Sequence, residues 1–287
     1  VIHLLVPFYV DAREPRRKEI EDAVRRNLRR TEFDSVTLFC EEKEVSAATA
    51  LAFKFPKARV FLLPRRALYT DLLQHAKKNA LESDVVVIAN ADVYFDDTIT
   101  LAKHVQAGHV LCLTRSEQRP FDEGLYWPEA ETSLSHDAWI FRPPLNIPGE
   151  FEFGRPGCEI RFAGECEKAG YALLNPCRQI HAIHNHASGL RTYTAFGPLH
   201  VSGPYAHVYI TPEWPPRPPV VKKEDPVPTR DDARTRFVRE CVAAQLSGLW
   251  TNAQIASVLD RADHLVAAMF DMAERAAREA ERRGMLP

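Results

Sequence analysis

Residues 84–97 read Asp-Val-Val-Val-Ile-Ala-Asn-Ala-Asp-Val-Tyr-Phe-Asp-Asp. The unbroken apolar run through Ala89 has the pattern of a strand buried on both faces, as in a parallel sheet covered by helices. The apolar run gives way at once to Asn90-Ala91-Asp92. In open α/β sheets, ligands bind beyond the carboxyl ends of the strands. Side chains two apart on an extended chain point the same way, so Asn90 and Asp92 are candidates for one site. Asp92 offers the oxygen ligand that a hard divalent cation takes. The plainer reading is that Asn and Asp start a turn. Asp96 or Asp97 is placed to cap a helix beginning at Thr98.

The rest of the first half fits that strand. His3–Val6 is an apolar run stopped by Pro7. Ile20, Val24 and Leu28 form one stripe on a helix over about 14–30. Strands are predicted at 35–40 and 59–63, and helices at 45–52, 70–81 (capped by Thr70) and 98–106. Alternation at this spacing predicts an α/β fold with a mostly parallel sheet flanked by helices. Further strands are predicted at 110–113, 138–141 and ending near His184, with a helix over about 158–169.

Composition narrows the chemistry. Of 287 residues, 12 are glycine, and the first is Gly108. The Gly-rich turn of a dinucleotide fold or a P-loop therefore cannot lie in the first strand-to-helix turn. The formal charge of -2 draws the chain to no polyanion. Six scattered cysteines without a CxxC pair argue against a disulfide framework. No apolar run approaches the roughly 18 residues of a membrane span, and no leader pattern is visible. A cytoplasmic protein is expected.

Seven of the 21 prolines fall within 212–228, which predicts an extended linker. Three segments are expected: a catalytic domain over 1–211, the linker over 212–228 and a helical extension over 229–287. That extension carries nine basic and nine acidic residues, a balance that suits packing or homo-oligomer formation better than a grip on nucleic acid.

Three further stretches carry polar chemistry. Ile183-His184-Asn185-His186-Ala187-Ser188-Gly189-Leu190-Arg191-Thr192-Tyr193 puts two imidazoles on one face of an extended chain, suited to manganese or zinc. Ser135-His136-Asp137 leads into the apolar Ala138–Phe141. Gly154-Arg155-Pro156-Gly157-Cys158-Glu159 turns into a helix whose dipole favours an ionised Glu159. Either Glu159 or Asp137 could serve as a general base. Each also has a bland alternative: a surface His cluster, or a carboxylate that only stabilises a helix end.

Taken in order, these motifs resemble those of a group of bacterial and viral GT-A-fold glycosyltransferases, over about Leu4 to Tyr193, two thirds of the chain. The resemblance implies metal-assisted transfer from a nucleotide-sugar donor, with Mn or Mg as cofactor. It implies a DxD-like element in which Asn90 stands for the first Asp and Asp92 binds the metal, completed by His186 or His184. It places Glu159 where the group usually has Asp, and Pro7, Phe8 and Tyr9 beside the nucleotide. Arg66, Tyr69 and Asp71 match an element lining the donor site, and Arg191 is a further donor-site candidate. The acceptor could be a glycan, a small molecule or DNA carrying hydroxylated bases.

Two other classes compete. Arg16, Arg17, Lys18, Arg25, Arg26, Arg29 and Arg30 oppose Glu19, Glu21 and Asp22, a local net of +4 that could touch nucleic acid or be only a solvated helix face. A scaffold with a degenerate site is the other, and the joint presence of Asp92, His186 and Glu159 speaks against it.

Overall fold

The computed structural model describes residues 1–118, 124–127, 135–190 and 200–215. They lie in one compact unit, Val1–Arg217. Arg191, most of the linker and the expected helical extension fall outside the described residues.

Strands β1 (Ile2–Pro7), β2 (Ser35–Glu41) and β3 (Ala58–Leu63) alternate with helices α1 (Glu14–Arg29), α2 (Val45–Ala52) and α3 (Tyr69–Asn79). Then come β4 (Val85–Ala89), β5 (Val93–Phe95), a 3-10 helix (Asp97–His104), β6 (His109–Leu113), β7 (Ser116–Gln118) and β8 (Leu125–Tyr126). Strand β9 (Ala138–Phe141), helix α4 (Cys158–Lys168), β10 (Ala172–Leu174) and β11 (Ala182–His184) complete the described elements.

Seven strands form the main sheet in the order β10-β6-β9-β4-β1-β2-β3. β9 runs antiparallel between β4 and β6, and the other adjacent pairs are parallel. The fold is thus α/β with a largely parallel central sheet flanked by helices, as the sequence pattern predicts.

The central strands are buried on both faces, and side-chain alternation divides the core between them. Leu4, Val6, Val85, Val87 and Ala89 pack with Ile20, Val24 and Leu28 of α1. Leu5, Val86 and Ile88 pack with Leu72, Leu73 and Ala76 of α3 and with Phe162 of α4. Every residue of β4 is buried, which is why its run carries no polar position.

A second sheet, ordered β5-β11-β7-β8, stands beside the first. Its pairing of β5 with β11 sets Val93 against His184, which brings the two distant halves of the site together. Asn27 of α1 holds this sheet from beneath. Its amide donates to the Val93 carbonyl at 2.8 Å, and its oxygen accepts from Phe95 N–H at 3.1 Å.

Some local expectations are corrected. Thr70 does not cap α3, which begins one residue earlier; Asp71 instead accepts the Leu68 N–H at 2.8 Å. The helix expected over 98–106 is a 3-10 helix; its cap is Asp96, one of the two residues expected there, which accepts from Thr98 N–H at 3.1 Å. Among the described residues no helix is long and apolar enough to cross a membrane.

Candidate active site

A cleft of about 680 Å³ opens where β1 and β4 end and α1 and α4 begin. Pro7, Phe8, Tyr9, Arg66, Asn90, Asp92, Asp137, Glu159, His184 and His186 all line it. Tyr69 and Asp71 do not. Tyr69 is fully buried, with its ring 4.8 Å from those of Phe151, Phe153 and Phe162. Asp71 pairs with Arg65 at 2.6 Å while accepting from Leu68. The Arg-x-x-Tyr-x-Asp element therefore contributes only Arg66 to the cleft, and its other two members hold the wall behind it.

Asp92, His184 and His186 form a cluster whose ligand atoms all lie within 4.8 Å of one another. Asp92 sits just past β4, and its backbone carbonyl accepts the Asn185 N–H at 2.8 Å. That bond ties the histidine loop to the strand end. The two imidazole rings stand nearly perpendicular, with centroids 5.0 Å apart. His184 is held at both nitrogens, by Glu117 Oε1 at 2.8 Å and by Asp92 Oδ2 at 3.2 Å.

Charge is concentrated on Asp92. Burial alone would raise its pKa, but His184 and Arg16 outweigh burial and hold the carboxyl far below the ordinary range. Burial would likewise lower His184, yet Asp92 and Glu117 lift it to about 9. His186 goes the other way: burial, with Arg16 and His184 nearby, lowers its pKa.

One carboxylate oxygen and two imidazole nitrogens suit a first-row divalent cation such as manganese. Magnesium prefers all-oxygen surroundings. Glu117 behind His184 is the outer carboxylate that commonly orients a metal-binding imidazole. The residues present therefore fit a divalent metal.

The same cleft holds a carboxylate pair. Asp137 accepts from Asn90 Nδ2 at 2.6 Å and from Arg115 at 3.4 Å. Asn90 thus reaches the cleft by way of Asp137, even though its carbonyl closes a turn onto Val93 N–H at 3.1 Å. Glu159 stands in the first turn of α4, behind Gly157 at φ 82. Only glycine adopts that left-handed backbone without strain. The pKa of Glu159 is raised to about 7, by burial first and by the Asp137 charge second. This corrects the expectation drawn from the helix dipole. A dipole worth about 0.3–1 kcal/mol at the surface loses to desolvation plus a like charge.

Arg16, Glu117 and Arg115 were not singled out by the site motifs. Arg16 carried a signal: it lies four residues before Ile20, on the stripe that α1 turns to the core. A cation there has to find a partner inside. It is 5% exposed and pairs with Asp92. The other α1 cations behave as a solvated face, with Arg25 on Glu21, Arg26 on Asp22 and Lys18 on Glu14. No local pattern marks Glu117.

No family model matches the chain, and no curated protein matches it in sequence. Among solved structures it is similar to GalNAc-T7 with UDP, GalNAc and Mn2+, at TM-score 0.44 and 11% identity, over 98% of this chain and 58% of that one. It is also similar to S. aureus TarS 1-349, at TM-score 0.36 and 12% identity, over 90% of this chain and 69% of that one. A third similar structure is the 4-diphosphocytidyl-2C-methyl-D-erythritol synthase of Anaerococcus prevotii, at TM-score 0.38 and 11% identity, over 61% and 86% of the two chains. Likeness of this degree says nothing of activity, which must be read from the cleft.

Proposed function

We propose that the protein is a metal-dependent glycosyltransferase that moves a sugar from a nucleotide-sugar donor to an acceptor hydroxyl. The observation that carries this reading is the joint presence, in one cleft at the carboxyl edge of the sheet, of the Asp92–His184–His186 cluster and of Glu159 with a pKa near neutrality.

Asp92, His184 and His186 would hold the cation. When bound, a divalent cation supplies Lewis-acid stabilisation to a leaving nucleoside diphosphate. The chain supplies the rest. Pro7, Phe8 and Tyr9 form the wall for the nucleoside, and Arg66 and Arg115 bring positive charge to the same cleft. Glu159 in its ionised form takes the proton from the acceptor hydroxyl while that oxygen bonds to the sugar carbon. The bond from that carbon to the diphosphate oxygen breaks with its electron pair. Asp137 orients Asn90 and keeps Glu159 near the pH at which a base works best. An acceptor on a glycan or small molecule is favoured over DNA, because Lys18, Arg25 and Arg26 are paired with acids on their own helix and Arg16 turns into the cleft.

The test is thermal stability with a panel of nucleoside diphosphates, with and without Mn2+. A ligand that binds only the folded state raises the apparent melting temperature. At least one diphosphate should stabilise the wild type more strongly when Mn2+ is present, and Asp92→Ala should lose that increment. Equal stabilisation of Asp92→Ala, or no response to any diphosphate, overturns the reading.

A further inference from the structure

Arg16 is buried at the cleft wall and held from several sides. Its guanidinium donates to Glu19 Oε2 at 3.1 Å and to the Asn185 carbonyl at 3.2 Å. It also bonds Asp92 Oδ2. Glu19 in turn accepts Ser188 N–H at 2.5 Å and Ser188 Oγ at 3.0 Å. The Asn185 amide donates to the Glu19 carbonyl at 2.8 Å. Helix α1 is thus clasped to the loop that carries His184 and His186, and Arg16 is the positive centre of the clasp.

Asp92 Oδ2 is the atom that both Arg16 and His184 engage. A cation coordinated by that oxygen and the imidazoles competes directly with the guanidinium. Arg16 faces the cleft beside Tyr9 and Arg13. A guanidinium fork matches phosphate oxygens in a paired geometry that an ammonium lacks.

We propose that Arg16 is a donor-binding residue that alternates between Asp92 and the diphosphate of the donor, so that metal binds tightly only together with a diphosphate. This rests on the metal-dependent reading given above. The coupling is reciprocal: a diphosphate that draws Arg16 away strengthens metal binding, and metal on Asp92 frees Arg16 for the diphosphate. The device gives order to the site. Free metal meets an occupied carboxylate, while a metal–diphosphate complex brings the counter-charge that releases it.

Two affinities test this, neither of which requires turnover. Mn2+ alone is titrated by the loss of the free-ion paramagnetic resonance signal, and pyrophosphate without metal is titrated by calorimetry. In Arg16→Ala, Mn2+ alone should bind roughly tenfold tighter and pyrophosphate roughly tenfold weaker, the size of one charge-assisted contact. Arg16→Met, which keeps the apolar stem, should shift each affinity in the direction expected for Arg16→Ala and serves if the alanine variant does not fold. Opposite shifts in the two affinities support the proposal. If Mn2+ binds no tighter in either variant while Asp92→Ala abolishes it, the metal centre stands and the role of Arg16 falls. Unchanged pyrophosphate affinity also overturns that role. If neither wild type nor variant binds Mn2+, the metal centre fails and this inference fails with it.

Discussion

Glu117 accepts a hydrogen bond from His184 Nδ1 at 2.8 Å, from a strand paired in parallel with the one that carries the histidine. This contact fixes the ring so that Nε2 faces Asp92. An outer carboxylate of this kind commonly contributes about 10–100-fold to metal affinity. Glu117→Ala should weaken Mn2+ binding by that order while leaving Asp92 and His186 in place. Wild-type affinity in the variant, read by paramagnetic resonance, would show that the ring is positioned by packing alone.

Tyr69 tests the boundary between core and cleft. Its ring packs against Phe151, Phe153 and Phe162, edge-on to Trp139 at 5.5 Å, and its hydroxyl reaches Cys158 Sγ at 3.6 Å. Tyr69→Ala should cost about 3–5 kcal/mol, typical of a deleted buried aromatic ring, measured by urea unfolding. Tyr69→Phe keeps the packing and should leave nucleoside diphosphate binding unchanged. A large loss of binding in the phenylalanine variant would return Tyr69 to the donor site.

Much of the frame was legible because it is local. The run Val85–Ala89 declares a strand without a solvent face, and Ile20, Val24 and Leu28 declare which side of α1 goes inward. Position relative to the strand end then marked Asp92. Other features depend on pairing between distant segments. Nothing near Ala138–Phe141 says that this strand will run against its neighbours, and nothing near Val93 says that His184 will lie beside it. The raised pKa of Glu159 likewise has no local origin. The dipole is a property of its own helix, whereas Asp137 and the burial around it come from the tertiary fold. Arg16 was readable in principle, since its place on the apolar stripe conflicts with its charge.

His136 predicts an acid limit to stability. It is fully buried, and its Nε2 meets the Val208 carbonyl at 3.5 Å while Nδ1 has no partner. Burial lowers its pKa to about 4. The unfolded chain takes up this proton at about 6.5, before the folded one does. Stability from this group is therefore complete above that pH and is lost as pH falls toward 4. The slope is at most about 1.4 kcal/mol per pH unit. Chemical denaturation between pH 7 and 5 should show a steeper decline for wild type than for His136→Gln. Parallel curves would mean that His136 is not the titrating group.

Glu159 carries the sharpest functional prediction. A base must be ionised to accept the acceptor proton, and this carboxyl has its pKa raised to about 7. Rate should fall on the acidic side of neutrality, by about tenfold per unit once pH is well below the pKa. Glu159→Gln should retain Mn2+ and diphosphate binding, because Asp92, His184 and His186 are untouched, and should lose transfer by about 10²–10⁴-fold. Asp137→Asn separates the two carboxylates. Removing that charge takes away the second cause of the raised pKa and leaves burial, so the acidic limb should move to lower pH without vanishing. The variant also disturbs Asn90, which donates to Asp137 at 2.6 Å, so its maximal rate should drop as well. The pH profile tells the two carboxylates apart. A limb that persists in Glu159→Gln and disappears in Asp137→Asn would assign the base to Asp137. A flat profile with normal rates in both would mean that neither carboxylate takes the proton.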